Sequence, residues 1–137
     1  MESHASVAEM VFSYSEQAVK AAEELSINLD YSEGSVAKLE SVVDKVTPRE
    51  GDDMAEACKM WGSYLGEVVR RRFGGEWSIE TYPGKEFATL TLSVGGAKLF
   101  PTMKIHRRLT RGSDDNLWVF YKMIKDRLEA APGGKIQ

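Results

Sequence analysis

Apolar residues recur along the first quarter of the chain at alternating spacings of four and three. Val7, Val11, Tyr14, Ala18, Ala21 and Leu25 form this series, which predicts an amphipathic helix beginning near Ser6 and ending before Asn28. Its other face is acidic, with Glu9, Glu16, Glu23 and Glu24 around Lys20. A second stripe, Val36, Leu39, Val43 and Val46, predicts a helix capped by the hydroxyl of Ser32 and closed at Thr47-Pro48. A Ser hydroxyl can accept a free backbone N–H of the first turn, and the residue before proline is pushed out of helical geometry. Arg49–Asp53 reads as a polar loop.

A third helix is predicted from about Asp53 to Phe73, carrying Met54, Cys58, Trp61, Leu65, Val68 and Phe73 close to one face. Gly62 and Gly66 lie inside it, each costing about 1 kcal/mol relative to alanine. Close approach of another backbone along this glycine groove offsets that cost most simply. Gly74-Gly75 stops the helix, because glycine accepts the left-handed conformation that closes one.

The period then changes from 3.6 to 2. Trp77–Tyr82, Phe87–Val94 and Ala97–Phe100 alternate as strands, separated by Pro83-Gly84 and by the hairpin pair Gly95-Gly96. Within the second strand, Ala88, Leu90, Leu92 and Val94 form the core side. Residues 102–111 fit a strand or a helix, and Pro101 before them with Gly112 after them favours the helix. A last helix, begun by Ser113 or Asp114, carries Leu117, Phe120, Tyr121, Ile124 and Leu128 and ends near Ala131. The expected fold is therefore α+β: N-terminal helices, a three-stranded antiparallel meander, and C-terminal helices packed on one sheet face. One domain covers residues 1–137, with its core over 6–131 and a flexible tail over 132–137.

Charge changes this picture. Residues 1–56 carry 13 acidic and 4 basic side chains, net −9, whereas residues 57–137 carry 8 and 14, net +6. Such a split either marks opposed binding faces or steers two halves together. With a pI near 5.5 the chain is a poor nucleic-acid binder. No apolar run approaches a membrane span, and Met1-Glu2-Ser3-His4 lacks the features of a secretory signal. Cys58 stands alone, so no internal disulfide forms and a cytoplasmic location is expected.

Three segments together resemble an uncharacterised family of small bacterial domains. They are Tyr31-Ser32-Glu33-Gly34-Ser35-Val36-Ala37-Lys38-Leu39-Glu40, then Tyr64–Arg70 with Gly74-Gly75-Glu76-Trp77, and Phe100-Pro101 followed by Lys104. The resemblance spans most of residues 29–125. It implies a bacterial cytoplasmic source and an α+β fold, and carries no activity.

The chemistry available is sparse. His4, His106 and Cys58 stand at no ligand spacing from one another, so neither a metal nor a cofactor is expected. Asp52-Asp53-Glu56 and Asp114-Asp115 sit where acids start helices. Ser63 and Cys58 have no activating partner in sequence. Gly74-Gly75 follows a helix and precedes a strand, the reverse of a phosphate loop. Two basic groups remain, Arg70-Arg71-Arg72 and Lys104, His106, Arg107, Arg108 and Arg111.

Two functions fit. The first is a non-enzymatic protein-interaction module, of the immunity type or self-associating as a homodimer, using Glu16, Glu23 and Glu24. The second is a binding protein or enzyme for a small anionic metabolite, with a pocket between the third helix and the sheet. That pocket is expected to be lined by Tyr64, Glu67, Trp77, Arg107 and Arg108. An ion pair of Glu67 with Arg71, one helical turn away, explains Glu67 equally well.

Overall fold

Alternating spacings of three and four residues become five α-helices, and the period-2 stretch becomes one sheet, in a computed structural model that describes residues 4–46 and 52–130. The order is α1 (His4–Glu23), α2 (Ser35–Lys45), α3 (Asp52–Phe73), β1 (Glu76–Thr81), β2 (Ala88–Val94), β3 (Ala97–Leu99), α4 (Pro101–Arg111) and α5 (Leu117–Ala130). Thr47-Pro48, the loop from Arg49 to Gly51 and the 132–137 tail lie outside the described residues. The sheet is an antiparallel meander in the order β1-β2-β3, pairing Trp77 with Leu92 and Ile79 with Leu90. This is the expected α+β architecture, and residues 102–111 are helical.

One sheet face, with Trp77, Leu90, Leu92 and Val94, is buried in a single apolar cluster with Val11, Val36, Leu39, Trp61, Leu65 and Ile105. On the opposite face Glu80 accepts hydrogen bonds from Lys98 and from Ser78. Ala88 departs from its expected core place and is exposed at the start of β2, and Ile79 of the edge strand β1 is likewise 52% exposed.

The glycines of α3 serve packing. A Cβ on Gly62 would lie 2.7 Å from Thr102 Cα and 2.8 Å from Thr102 N, so the backbone that opens α4 runs directly over this position. A Cβ on Gly66 would overlap the Trp77 indole and come within 3.0 Å of Pro101. Backbone approach therefore holds at Gly62, and an aromatic ring takes the place beside Gly66.

Several boundaries differ from the sequence expectation. The buried line of α1 is Val11, Ser15, Ala18 and Ala22, with Leu25 left 40% exposed. Small residues at three of these four places let α1 lie close to its neighbour, a purpose hydropathy alone does not register. The helix ends in a Schellman motif: Ile27 N–H donates to Ala22 O at 3.0 Å and Ser26 N–H to Glu23 O at 2.9 Å, with Ser26 at φ 62°. Serine stands where glycine is usual, so the stop carried no sequence signal.

Ser32 Oγ accepts the Ser35 N–H at 3.2 Å as expected, but α2 begins only at Ser35. Ser113–Asp115 form a 3₁₀ turn, and Asn116 starts α5 by accepting the Val119 N–H at 3.0 Å. Glu40 of α2 accepts the Leu117 N–H at 2.9 Å, joining α2 to the start of α5.

The charge split closes inside the molecule. Arg108 of α4, 4% exposed, donates to Glu40 at 2.9 Å and to Asp44 at 2.8 Å. Lys125 and Arg72 both reach Glu33, each at 3.2 Å. Acidic residues from the first half thus meet basic residues from the second across the helix contacts.

Candidate functional site

Spacing along α3 places Glu67, Arg70 and Arg71 as neighbours, since residues three and four apart share a helix face. The Gly74-Gly75 stop, at φ 88° and 125°, returns the chain so that β1 starts beside the helix it has just left. Trp77 thereby lies against Gly66, and its indole N–H donates to Glu67 Oε2 at 2.7 Å. Arg70 donates to the same carboxylate through Nε at 2.7 Å and Nη2 at 3.1 Å, and Arg71 through Nε at 3.2 Å. Burial pushes the Glu67 carboxyl up, but the hydrogen bonds from Arg70 and Trp77 outweigh it and hold the group below its ordinary value.

Arg71 is fixed on a second side. Its guanidinium carbon lies 3.6 Å from the centre of the Tyr31 ring. Tyr31 occupies the left-handed region at φ 67°, and its ring centre is 4.8 Å from that of Tyr64. The Tyr64 hydroxyl accepts the Tyr31 N–H at 2.7 Å and shares a 2.7 Å hydrogen bond with Ser35 Oγ. The Tyr31 hydroxyl donates to Glu16 at 2.7 Å. Tyr64 is fully buried and supports Arg71 from behind through the Tyr31 ring.

An open cleft of about 750 Å³ lies over this cluster, lined by Phe12 from α1, by Arg70 and Arg71, and by Glu67, Glu76 and Trp77. No family model, no curated protein and no solved structure matches the chain.

Of the five residues expected in one pocket, Glu67 and Trp77 are in contact and line the cleft. Tyr64 sits behind it. Arg107 and Arg108 are placed elsewhere: Arg107 donates to the Tyr82 hydroxyl at 3.1 Å and lies 3.8 Å from Asp115, while Arg108 is held by Glu40 and Asp44. Phe12 and Tyr31 belong to the cluster without having been expected there. The position of Phe12, an aromatic residue off the apolar stripe of α1, is a signal in the sequence, whereas the positive φ of Tyr31 has none.

Other candidates resolve simply. Glu16 is engaged by Tyr31, while Glu23 at the end of α1 and Glu24 in the turn after it are exposed. Burial raises the Cys58 thiol to about 11, which keeps it protonated and weakly nucleophilic at neutral pH. Ser63 Oγ is buried without a hydrogen-bond partner among the described residues. Asp115 accepts a 3.1 Å hydrogen bond from buried Lys104 and lies 3.9 Å from Arg111. No group of three or more His, Cys, Asp or Glu among the described residues is arranged to hold a metal ion, and no described helix is long and apolar enough to cross a membrane.

Proposed function

We propose that this protein is a non-enzymatic interaction module that engages a basic surface of another protein through the outward face of α1. The observation that supports the reading is the different fate of its acidic residues. Glu33, Glu40 and Asp44 are paired with Lys125, Arg72 and Arg108 across the contacts between elements. Glu9, Glu23 and Glu24 are exposed and have no ion-pair partner among the described residues. Glu9 and Glu23 share one side of α1, because fourteen residues bring the helix nearly back to the same angle.

A face on which three unpaired carboxylates surround Lys20 is net acidic, and it steers a cationic partner and suppresses acidic ones. This is the behaviour of an immunity-type protein that covers a basic functional surface. The test is affinity capture from the source cells with the full chain and with the triple variant Glu9→Lys, Glu23→Lys, Glu24→Lys. A basic partner retained by the wild type and lost by the variant supports the module. Equal retention by both proteins, or no partner for either, overturns it.

A further inference from the structure

The Arg71 guanidinium is held on two sides at the wall of the cleft. Its Nε is spent on Glu67 and one face lies on Tyr31, which together fix the plane of the group. Nη1 and Nη2 have no acceptor among the described residues, and the side chain, 36% exposed, lines the cleft. A planar arginine edge with two free N–H groups matches the two oxygens of a carboxylate, and holding it beforehand reduces the entropy lost on binding. Two ordering contacts on one exposed arginine, one of them through a tyrosine in a left-handed conformation, exceed what a surface ion pair requires.

Apolar surface stands beside that edge. Phe12 is 51% exposed at the cleft wall, and Trp77, 7% exposed, lines the cleft beside it. Glu76 lines the same cleft, and the Glu67 charge is already matched by Arg70. The two arginines and two carboxylates of the cleft sum to zero, so a single added carboxylate is held by the geometry of the Arg71 fork, and a doubly charged anion is disfavoured by Glu76 and Glu67.

We infer that the cleft between α1, the end of α3 and β1 is a binding site for a monocarboxylate carrying an apolar, aromatic-sized group, with Arg71 holding the carboxylate and Phe12 and Trp77 the apolar body. The carboxylate belongs either to a small acid or to the terminus of a peptide. The site does not rest on the acidic-face reading, and uses none of Glu9, Glu23 or Glu24.

The experiment is a ¹⁵N NMR titration of the full chain with phenylacetate, phenylacetamide, N-acetylphenylalanine and inorganic phosphate, following the Arg71 Nε and Trp77 Nε1 resonances. Phenylacetate is expected to shift both, with phenylacetamide and phosphate inert at the same concentration. Arg71→Lys keeps the charge but loses the fork, and weakens phenylacetate about tenfold, the effect of one charge-assisted hydrogen bond. Phe12→Ala, at an exposed position that leaves folding intact, also weakens it. Tighter binding of N-acetylphenylalanine assigns the carboxylate to a chain terminus, and tighter binding of phenylacetate assigns it to a small acid; both support the site. Absence of shifts with either acid, equal response to phenylacetamide or phosphate, or undiminished binding by both variants overturns it.

Discussion

The indole N–H of Trp77 and the carboxylate of Glu67 form a 2.7 Å hydrogen bond between the first residues of the sheet and the last turns of α3, with Glu67 only 4% exposed. Replacing Glu67 with leucine leaves that N–H buried and unsatisfied and is expected to cost about 2 kcal/mol. Trp77→Phe removes the donor but leaves the carboxylate with both arginines, so its hydrogen-bond loss is smaller. Urea denaturation of both single variants and the double variant gives the coupling, expected at about 1 kcal/mol. Purely additive effects contradict a structural role for this bond.

Glu67 also sets an acid limit on stability. Its folded pKa lies below the ordinary 4.5, so the folded state releases this proton more readily than the unfolded chain. The stabilisation is present above pH 4.5 and is lost as pH falls from there through the folded value. Glu33, held low first by the Tyr121 hydroxyl and then by Lys125, titrates in the same direction. Thermal unfolding between pH 3 and 7 is expected to show a decline below about pH 4.5 that is shallower in Glu67→Gln.

Gly62→Ala weighs two opposing effects. Alanine improves helix propensity by about 1 kcal/mol. Its Cβ would stand 2.7 Å from Thr102 Cα, where backbone has to move. Overpacking costs of about 1–3 kcal/mol, plus the displaced start of α4, make the net effect destabilising. A midpoint in urea equal to or above that of the wild type contradicts the close approach.

Ser26→Gly has the opposite sign. Ser26 closes α1 at φ 62°, a conformation glycine adopts without steric cost. The substitution is expected to stabilise by about 0.5–1 kcal/mol, with differential scanning calorimetry as the readout. Destabilisation would show that the serine side chain has a role of its own.

Local chemistry made several features legible in advance. Gly74-Gly75 announces the turn from α3 into β1 because few residues tolerate φ near 90°, and Gly95-Gly96 announces a hairpin for the same reason. The alternation of Phe87–Val94 indicates which side of β2 is apolar, and Leu90, Leu92 and Val94 are buried there, whereas Ala88 at the strand's start is exposed and Thr91 of the other side is buried. Pro101 and Gly112 bracket α4 because one fits a helix start and the other a stop. Glu67 and Arg71 were paired by spacing alone, since four residues on a helix are one turn.

Contacts between distant segments were decided only by tertiary structure. Nothing in the order of residues places Trp77 over Gly66, Tyr31 under Arg71 or Arg108 between Glu40 and Asp44, because each pairing depends on how two elements cross. For that reason Arg107 and Arg108 left the expected pocket, while Phe12 entered it. The periodicity of the chain determined which elements form and which faces they bury, through local sterics and the hydrophobic effect. Packing determined which carboxylates remain unpaired on α1 and how Arg71 is held between Glu67 and Tyr31, and these groups carry the proposed partner face and the carboxylate site.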